Sequence, residues 1–340
     1  MSDQAQDLAA LKLVNVVLYT SKNDSALEEI LQWLSSIQNE FPHNVVTISI
    51  DDELEIYKGY IGRTPVLEVG PYHLYKPFTL ADIKMTLGAA RDRQKSLSES
   101  GDAAYQKMYV RGSSISGSDK FSYWLTRNYM ILFNTLLFIF VGLPFLAPVL
   151  NRAGATLPAN IIYKIYSPLC HQLAFRSWFL YGEQAAYPRE LAFQSGLTYE
   201  EATGIPSSDI WGSRNFLGNA TLGYKVALCE RDIAIYGGIL LFGLLFSLTG
   251  NRLHSIPWYV WVVLGIIPMG IDGVSQLPGL LENTISWLPV RESTPFLRTI
   301  TGLLFGISTA WYGYPLIEDT MRDSRKSLAK KFAVHQGKLG

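Results

Sequence analysis

Four apolar runs confined to residues 129–316 limit what this 340-residue chain can fold into. They are Tyr129–Leu150, Ile233–Leu248, Pro257–Ile271 and, approximately, Phe296–Leu316. A hydrocarbon layer takes about 20 helical residues to cross. The outer two runs meet that length, while the middle two, at about 16 residues, cross only if interfacial aromatics extend them. Trp258, Tyr259 and Trp261 open the third run, and Trp311, Tyr312 and Tyr314 fall late in the fourth, as aromatic belts do. The expectation is an α-helical polytopic membrane domain over residues 128–318 with about four transmembrane helices, the first interrupted by Gly142 and Pro144. The shorter amphipathic stretch Ala159–Leu169 is expected to lie in the interface and not to cross.

Charge sets the orientation. Lys and Arg together number 29, matched by 29 Asp and Glu, so no basic field points to nucleic acid, and the bilayer is the expected partner. Lys120, Arg127, Arg252 and the basic tail over 319–340 (Arg322, Arg325, Lys326, Lys330, Lys331) fall on one side of a four-span arrangement. The positive-inside rule makes that side the cytoplasm. Both termini are then expected to be cytoplasmic, with the loops 151–232 and 277–295 outside. The first 15 residues lack a basic start followed by an apolar core, so no cleavable signal peptide is expected.

Residues 1–92 have a different texture. Residues 13–20 are a β-branched apolar run suited to a buried parallel strand. Leu27, Ile30, Leu31 and Leu34 recur at helical spacing, with Asp24 placed to cap that helix. A second strand over 45–50 ends at Asp51-Asp52, which is expected to start a short helix over 53–60. Thr64-Pro65 then leads into a strand, a turn at Gly70-Pro71, a short strand and a helix from about Thr79 to Arg91. This order predicts a small α/β layered domain. It resembles the glutaredoxin-like branch of the thioredoxin fold, through the strand ending in Tyr19-Thr20, the Thr64-Pro65-Val66 segment and the acidic end of the second strand. The resemblance implies a cis peptide before Pro65. The redox pair it implies would fall on Asp24 and Leu27, neither of which can supply a thiolate. A redox-inactive domain with a docking role is expected, with a protein partner there or within a membrane complex. Residues 93–127, rich in Ser, Gly and charge up to 120, are expected to be a flexible linker.

Ionisable groups cluster at the ends of the apolar runs on the outer face. Cys170-His171-Gln172 and Arg176 follow the interfacial stretch, and Cys229-Glu230-Arg231-Asp232 leads into the second run. Asp272 and Gln276 end the third run on one helix face, and Arg291-Glu292-Ser293 with Arg298 opens the fourth. Charged groups beside hydrocarbon usually pair or serve a purpose. Asp272 with Arg298 is the expected pair, and Asp232 is an expected N-cap. These motifs resemble those of an uncharacterised family of prokaryotic integral membrane proteins, domain of unknown function 2085. The resemblance covers about residues 128–316 and implies a roughly 40-residue insertion between Glu183 and Val226. It supplies no activity.

Three functions are compatible with these residues. The leading one is a binding or complex-assembly protein, not demonstrably an enzyme and without a cofactor. Its outer-face pocket comprises His171, Gln172, Arg176, Arg231, Asp232, Asp272, Gln276, Arg291, Glu292 and Arg298. In the second, Cys170 and Cys229 cycle as a membrane thiol–disulfide oxidoreductase; in the third, Cys170, His171 and Cys229 hold zinc or copper. The expected state of the two cysteines is a disulfide closing the long outer loop.

Overall fold

A computed structural model describes residues 13–22, 24–51, 56–99, 114–192, 195–276 and 291–336. The chain divides into two compact units, one formed by residues 1–128 and 319–340 and the other by residues 129–318.

The first unit is built on a four-stranded mixed sheet. Its strands are β1 (Val14–Thr20), β2 (His43–Ser49), β3 (Val66–Val69) and β4 (Tyr72–Tyr75), ordered β2-β1-β3-β4. β1 runs parallel to β2 and antiparallel to β3, and β3 pairs antiparallel with β4. The central strand is apolar on both faces because both faces are covered. Val16 and Leu18 pack with Ile30 and Leu34 of α1 (Leu27–Ser36) and with Ile83 and Leu87 of α2 (Leu80–Glu99). On the other face Val17 and Tyr19 meet Tyr57, Tyr60 and Val66. The Thr64–Pro65 peptide is cis.

Several local expectations need correction. Asp24 does not cap α1: the helix begins after Ala26, whose N–H donates to Asp24 Oδ1 at 3.4 Å. Of the helix expected over 53–60 only a 3₁₀ turn, Lys58–Tyr60, is seen, and 52–55 lie outside the described residues. Residues 93–99 continue α2, and residues 117–127 belong to α3 (Gly117–Arg152), so helix enters the expected linker from both ends. Residues 100–113 lie outside the described residues. Helix propensity carries α2 on because residues 93–99 contain neither Gly nor Pro.

The basic tail is the outer part of a long helix, α9 in chain order (Pro295–Gln336), and it completes this first unit. Lys330 Nζ lies 2.6 Å from Glu68 Oε1, Lys326 Nζ lies 4.1 Å from the Tyr60 ring centre, and Val334 joins the tyrosine-lined core. Lys331 binds Asp119 at the start of α3. Burial raises the Glu68 carboxyl, but Lys330, the Tyr19 hydroxyl and His73 outweigh it and hold the carboxyl below its ordinary value. A depressed carboxylate contributes stability above the unfolded value of ~4.3 and loses it as pH falls through the folded one. Acidification below about pH 4 should therefore loosen the tail from the sheet. Lys330→Gln should loosen it at neutral pH too. Limited proteolysis after residue 318 reads both effects, and equal cleavage of wild type and variant at pH 7 would refute the contact's role.

The second unit is helical with a small sheet. Besides the inner parts of α3 and α9 it holds α4 (Thr156–Tyr166), α5 (Tyr199–Thr203), α6 (Ile210–Asn215), α7 (Glu230–Leu248) and α8 (Trp258–Val274). α8 carries a π-helical turn at Val262–Ile266 just ahead of Pro268, which has no N–H to continue the ladder. Between α4 and α7 the sheet β5-β7-β6 forms from Ser177–Leu180, Gly218–Asn219 (β6) and Gly223–Cys229 (β7). Phe175, Phe179, Tyr187 and Tyr199 give this region its own core.

Among the described residues two helices, α3 and α7, are long and apolar enough to cross a membrane, and α8 is a shorter apolar helix. α3 runs through Gly142, Pro144 and Pro148 as one helix, so these residues do not interrupt it. Its flanks, and those of α7 and α8, expose Phe138, Ile139, Leu241, Leu248, Val263 and Ile271. Exposed apolar faces of this extent suit lipid rather than water. α4 buries Ala159, Ile162, Tyr163 and Tyr166 but exposes Leu157, Ile161 and Ile165, so apolar residues cover both of its sides. Polar side chains also link the helices, among them Tyr129 to Glu318 at 2.7 Å and Asn134 to Ser247 at 3.0 Å.

Candidate functional site

The first turn of α7 organises the site. Cys229, Glu230, Arg231 and Asp232 follow one another at about 100° per residue, so one turn sends four polar side chains to different neighbours. Arg231 binds Asp272 of α8, Glu230 binds Arg298 of α9 at 3.2 Å, and Cys229 and Asp232 meet Cys170.

Two carboxylates anchor the ionic part. Asp272 accepts from Arg231, from Arg291 at 3.4 Å and from the Ser293 hydroxyl at 2.8 Å. Glu292 accepts from Arg176 at 2.7 Å, from Arg189 at 3.3 Å and from Arg298. Gln276 joins the two groups by donating to the Asp272 carbonyl and accepting from Arg176. The expected Asp272–Arg298 pair is not formed. Asp272 faces the α7 side through Arg231, and Arg298 points between Glu230 and Glu292. Burial is uneven: Arg298 is 3% exposed, whereas Arg176 and Arg291 are 34% and 41% exposed and form the open rim. Among the described residues five arginines meet three carboxylates here, an excess of cation.

Close helix contact holds the cluster together. Gly302 and Gly306 of α9 lie against the α7 backbone, where a Cβ would stand 2.8 Å from the Arg231 carbonyl oxygen and 2.1 Å from that of Ile235. Thr294 caps α9 by accepting from the Leu297 N–H, which leaves Ser293 free to reach Asp272.

A second cluster lies at the β7–α7 junction. Both cysteines are free and not at bonding distance, which corrects the expected disulfide. Each sulfur is occupied otherwise: Cys170 Sγ accepts N–H groups of Gln172 at 3.4 Å and Cys229 at 3.3 Å, and Cys229 Sγ accepts that of Asp232 at 3.5 Å. Cys229, not Asp232, is therefore the N-cap of α7. The Cys229 thiol hydrogen bond lowers the Cys170 thiol against the opposing effect of burial, and the same bond raises that of Cys229.

Gln172 fixes this corner. Its backbone sits in the left-handed region at φ 52°, and its side chain donates to the Tyr163 and Ala227 carbonyls at 2.9 and 2.8 Å. The Lys225 ammonium donates to the Gln172 carbonyl at 2.8 Å. Lys225 is fully buried, and burial pushes it down to about 7. Such strain at one polar residue persists only where several bonds hold it.

Ten of the sequence-selected residues thus divide between two clusters. Arg176, Arg231, Asp272, Gln276, Arg291, Glu292 and Arg298 form the ionic one, and Cys170, Cys229 and Asp232 the other. Gln172 acts as scaffold to the second. His171 is exposed, and its ring does not belong to the donor group of the two sulfurs and Asp232. Arg189 and Lys225 were missing from the sequence-derived cluster, and Glu230 was named in it but left out of the pocket, though each is charged and buried or half-buried. For Lys225 the signal was present: a lone lysine inside an apolar strand, Gly223–Cys229.

The described residues thus show a mixed α/β sheet region followed by a helical region with two helices long and apolar enough to cross a membrane. Residues 213–312 match the model of a family described as a predicted membrane protein, DUF2085. An uncharacterized protein of Methanocaldococcus jannaschii is 25% identical over 199 residues, covering 56% of this chain and 94% of that protein. The matched residues of the family model include the whole first turn of α7, Asp272, Arg291, Glu292 and Arg298.

Proposed function

We propose that this chain is a multi-pass membrane protein that binds an anionic group at the arginine cluster. In this reading α3, α7, α8 and the inner part of α9 all cross the bilayer. Both termini are cytoplasmic and the cluster lies at the outer interface. The observation that carries the reading is the charge imbalance, five arginines against three buried carboxylates among the described residues, with the excess on the open rim at Arg176 and Arg291. A purely structural network would be expected to balance its charges, since an unpaired ion beside hydrocarbon costs several kcal/mol, on the order of 2–4. A phosphate or carboxylate on the rim neutralises that excess and gains bidentate guanidinium contacts.

Topology is tested by reporters fused after residue 335 and within residues 183–226, which should report opposite sides; same-side signals would refute the four-span arrangement. Binding is tested with the detergent-solubilised protein and inorganic phosphate, alongside mass spectrometry of retained anionic lipid. Arg176→Gln with Arg291→Gln should weaken binding by at least roughly tenfold, about 1.4 kcal/mol, without lowering the melting temperature. Wild-type affinity in that double variant would remove the rim as the site.

The N-terminal region completes the reading. Its sheet order supports a thioredoxin-like fold, and a cleft of about 350 Å³ lined by Ser21, Asp24, Asp51 and Thr64 lies where such a domain would carry its redox pair. With no thiol there, it serves as a docking domain for a protein partner.

A further inference from the structure

The geometry points to a soft or borderline divalent metal site, of the kind zinc occupies, formed by Cys170, Cys229 and Asp232. One ligand atom from each of the three residues lies within 4.8 Å of the other two. A tetrahedral ion with metal–sulfur bonds of ~2.3 Å separates its sulfurs by roughly 3.8 Å, so closure takes shifts of at most about 1 Å. The elements that carry the donors are fixed independently of any ion. Cys170 follows α4, held by the Gln172 side chain to Tyr163 and Ala227, while Cys229 and Asp232 share the first turn of α7.

Three features beyond proximity select a thiolate-bound cation. The sulfurs accept three backbone N–H groups, the arrangement that lets a thiolate persist without a proton. Cys229 sits at the N-terminus of the 19-residue helix α7, whose partial positive charge favours an anionic sulfur. The buried Lys225 ammonium acts electrostatically on Cys170. Two thiolates and one carboxylate around a divalent ion leave one net negative charge, which Lys225 opposes. On binding, each thiol gives its proton to the buffer while its sulfur forms a bond to the metal; no electron changes hands. Three protein donors leave a fourth position for water or an exogenous ligand.

The test uses the full-length protein in detergent with reductant, stripped by a chelator and titrated with zinc and with cobalt. One equivalent should bind per chain, and cobalt should give a thiolate-to-metal charge-transfer band. Cys170→Ser and Cys229→Ser should abolish that band, and serine at position 229 still caps α7. Asp232→Asn should weaken zinc by at least roughly tenfold, while Asp232→Cys retains or tightens it. His171→Ala should leave affinity unchanged. Absence of the band in the stripped, reduced protein overturns the assignment. So does a His171→Ala loss as large as that of Asp232→Asn, or wild-type affinity in Asp232→Asn.

Discussion

Arg298→Gln is expected to lower the melting temperature of the detergent-solubilised protein more than any other single charge removal in the arginine cluster. Arg298 is buried between Glu230, 1% exposed, and Glu292, 6% exposed. Glu292 keeps Arg176 and Arg189 after the substitution, but Glu230 loses the guanidinium that faces it. A charge left unpaired in a buried place costs ~3–5 kcal/mol, several times the ~0–1 kcal/mol of an exposed ion pair. Adding Glu230→Gln removes the orphaned charge and should restore much of the loss, so the double-mutant cycle will show strong coupling. Arg291→Gln, on the exposed rim, serves as the comparison. Should Arg298→Gln melt no lower than Arg291→Gln, the buried ion pair has no special weight and the cluster is a surface feature.

Gly306→Val is expected to damage the same cluster without touching a charge. Its Cβ would stand 2.1 Å from the Ile235 carbonyl oxygen, a backbone atom of α7 that no rotamer change can move. The helices must separate, at an overpacking cost of typically ~1–3 kcal/mol and more where the neighbour is backbone. Separation also draws Glu230 and Arg231 away from Arg298 and Asp272, so the variant should lose anion binding together with stability. Gly313→Val on the same helix meets nothing within 4 Å and should be close to neutral in both. Equal melting temperatures for the two variants would mean that α7 and α9 do not pack at the Gly306 contact.

Those two substitutions separate what could be read in the sequence from what could not. Period and composition suffice for the elements: the β-branched run at Val14–Thr20 is a strand, the spacing of Leu27, Ile30 and Leu34 is a helix, and the apolar runs are α3, α7, α8 and the inner part of α9. These features are local, since burial on one face or both imprints its repeat on the chain. The polar residues at the ends of the runs were also legible, because charge beside hydrocarbon is costly enough to stand out.

Partnership was not legible. Asp272 and Arg298 looked like a pair because both lie at the ends of neighbouring runs, yet Asp272 takes Arg231 and Arg291 while Arg298 takes Glu230 and Glu292. The choice depends on how far α7, α8 and α9 are rotated about their axes. Part of that rotation is set where Gly302 and Gly306 of α9 approach Arg231 and Ile235 of α7, about 70 residues earlier in the chain. The same limit explains why Cys229 and not Asp232 caps α7, and why two cysteines suited to a disulfide remain free thiols beside a carboxylate. It also explains why Lys330 finds Glu68 across 262 positions of chain. Sequence determined which residues were too expensive to leave unsatisfied; only the tertiary packing decided what satisfies each of them.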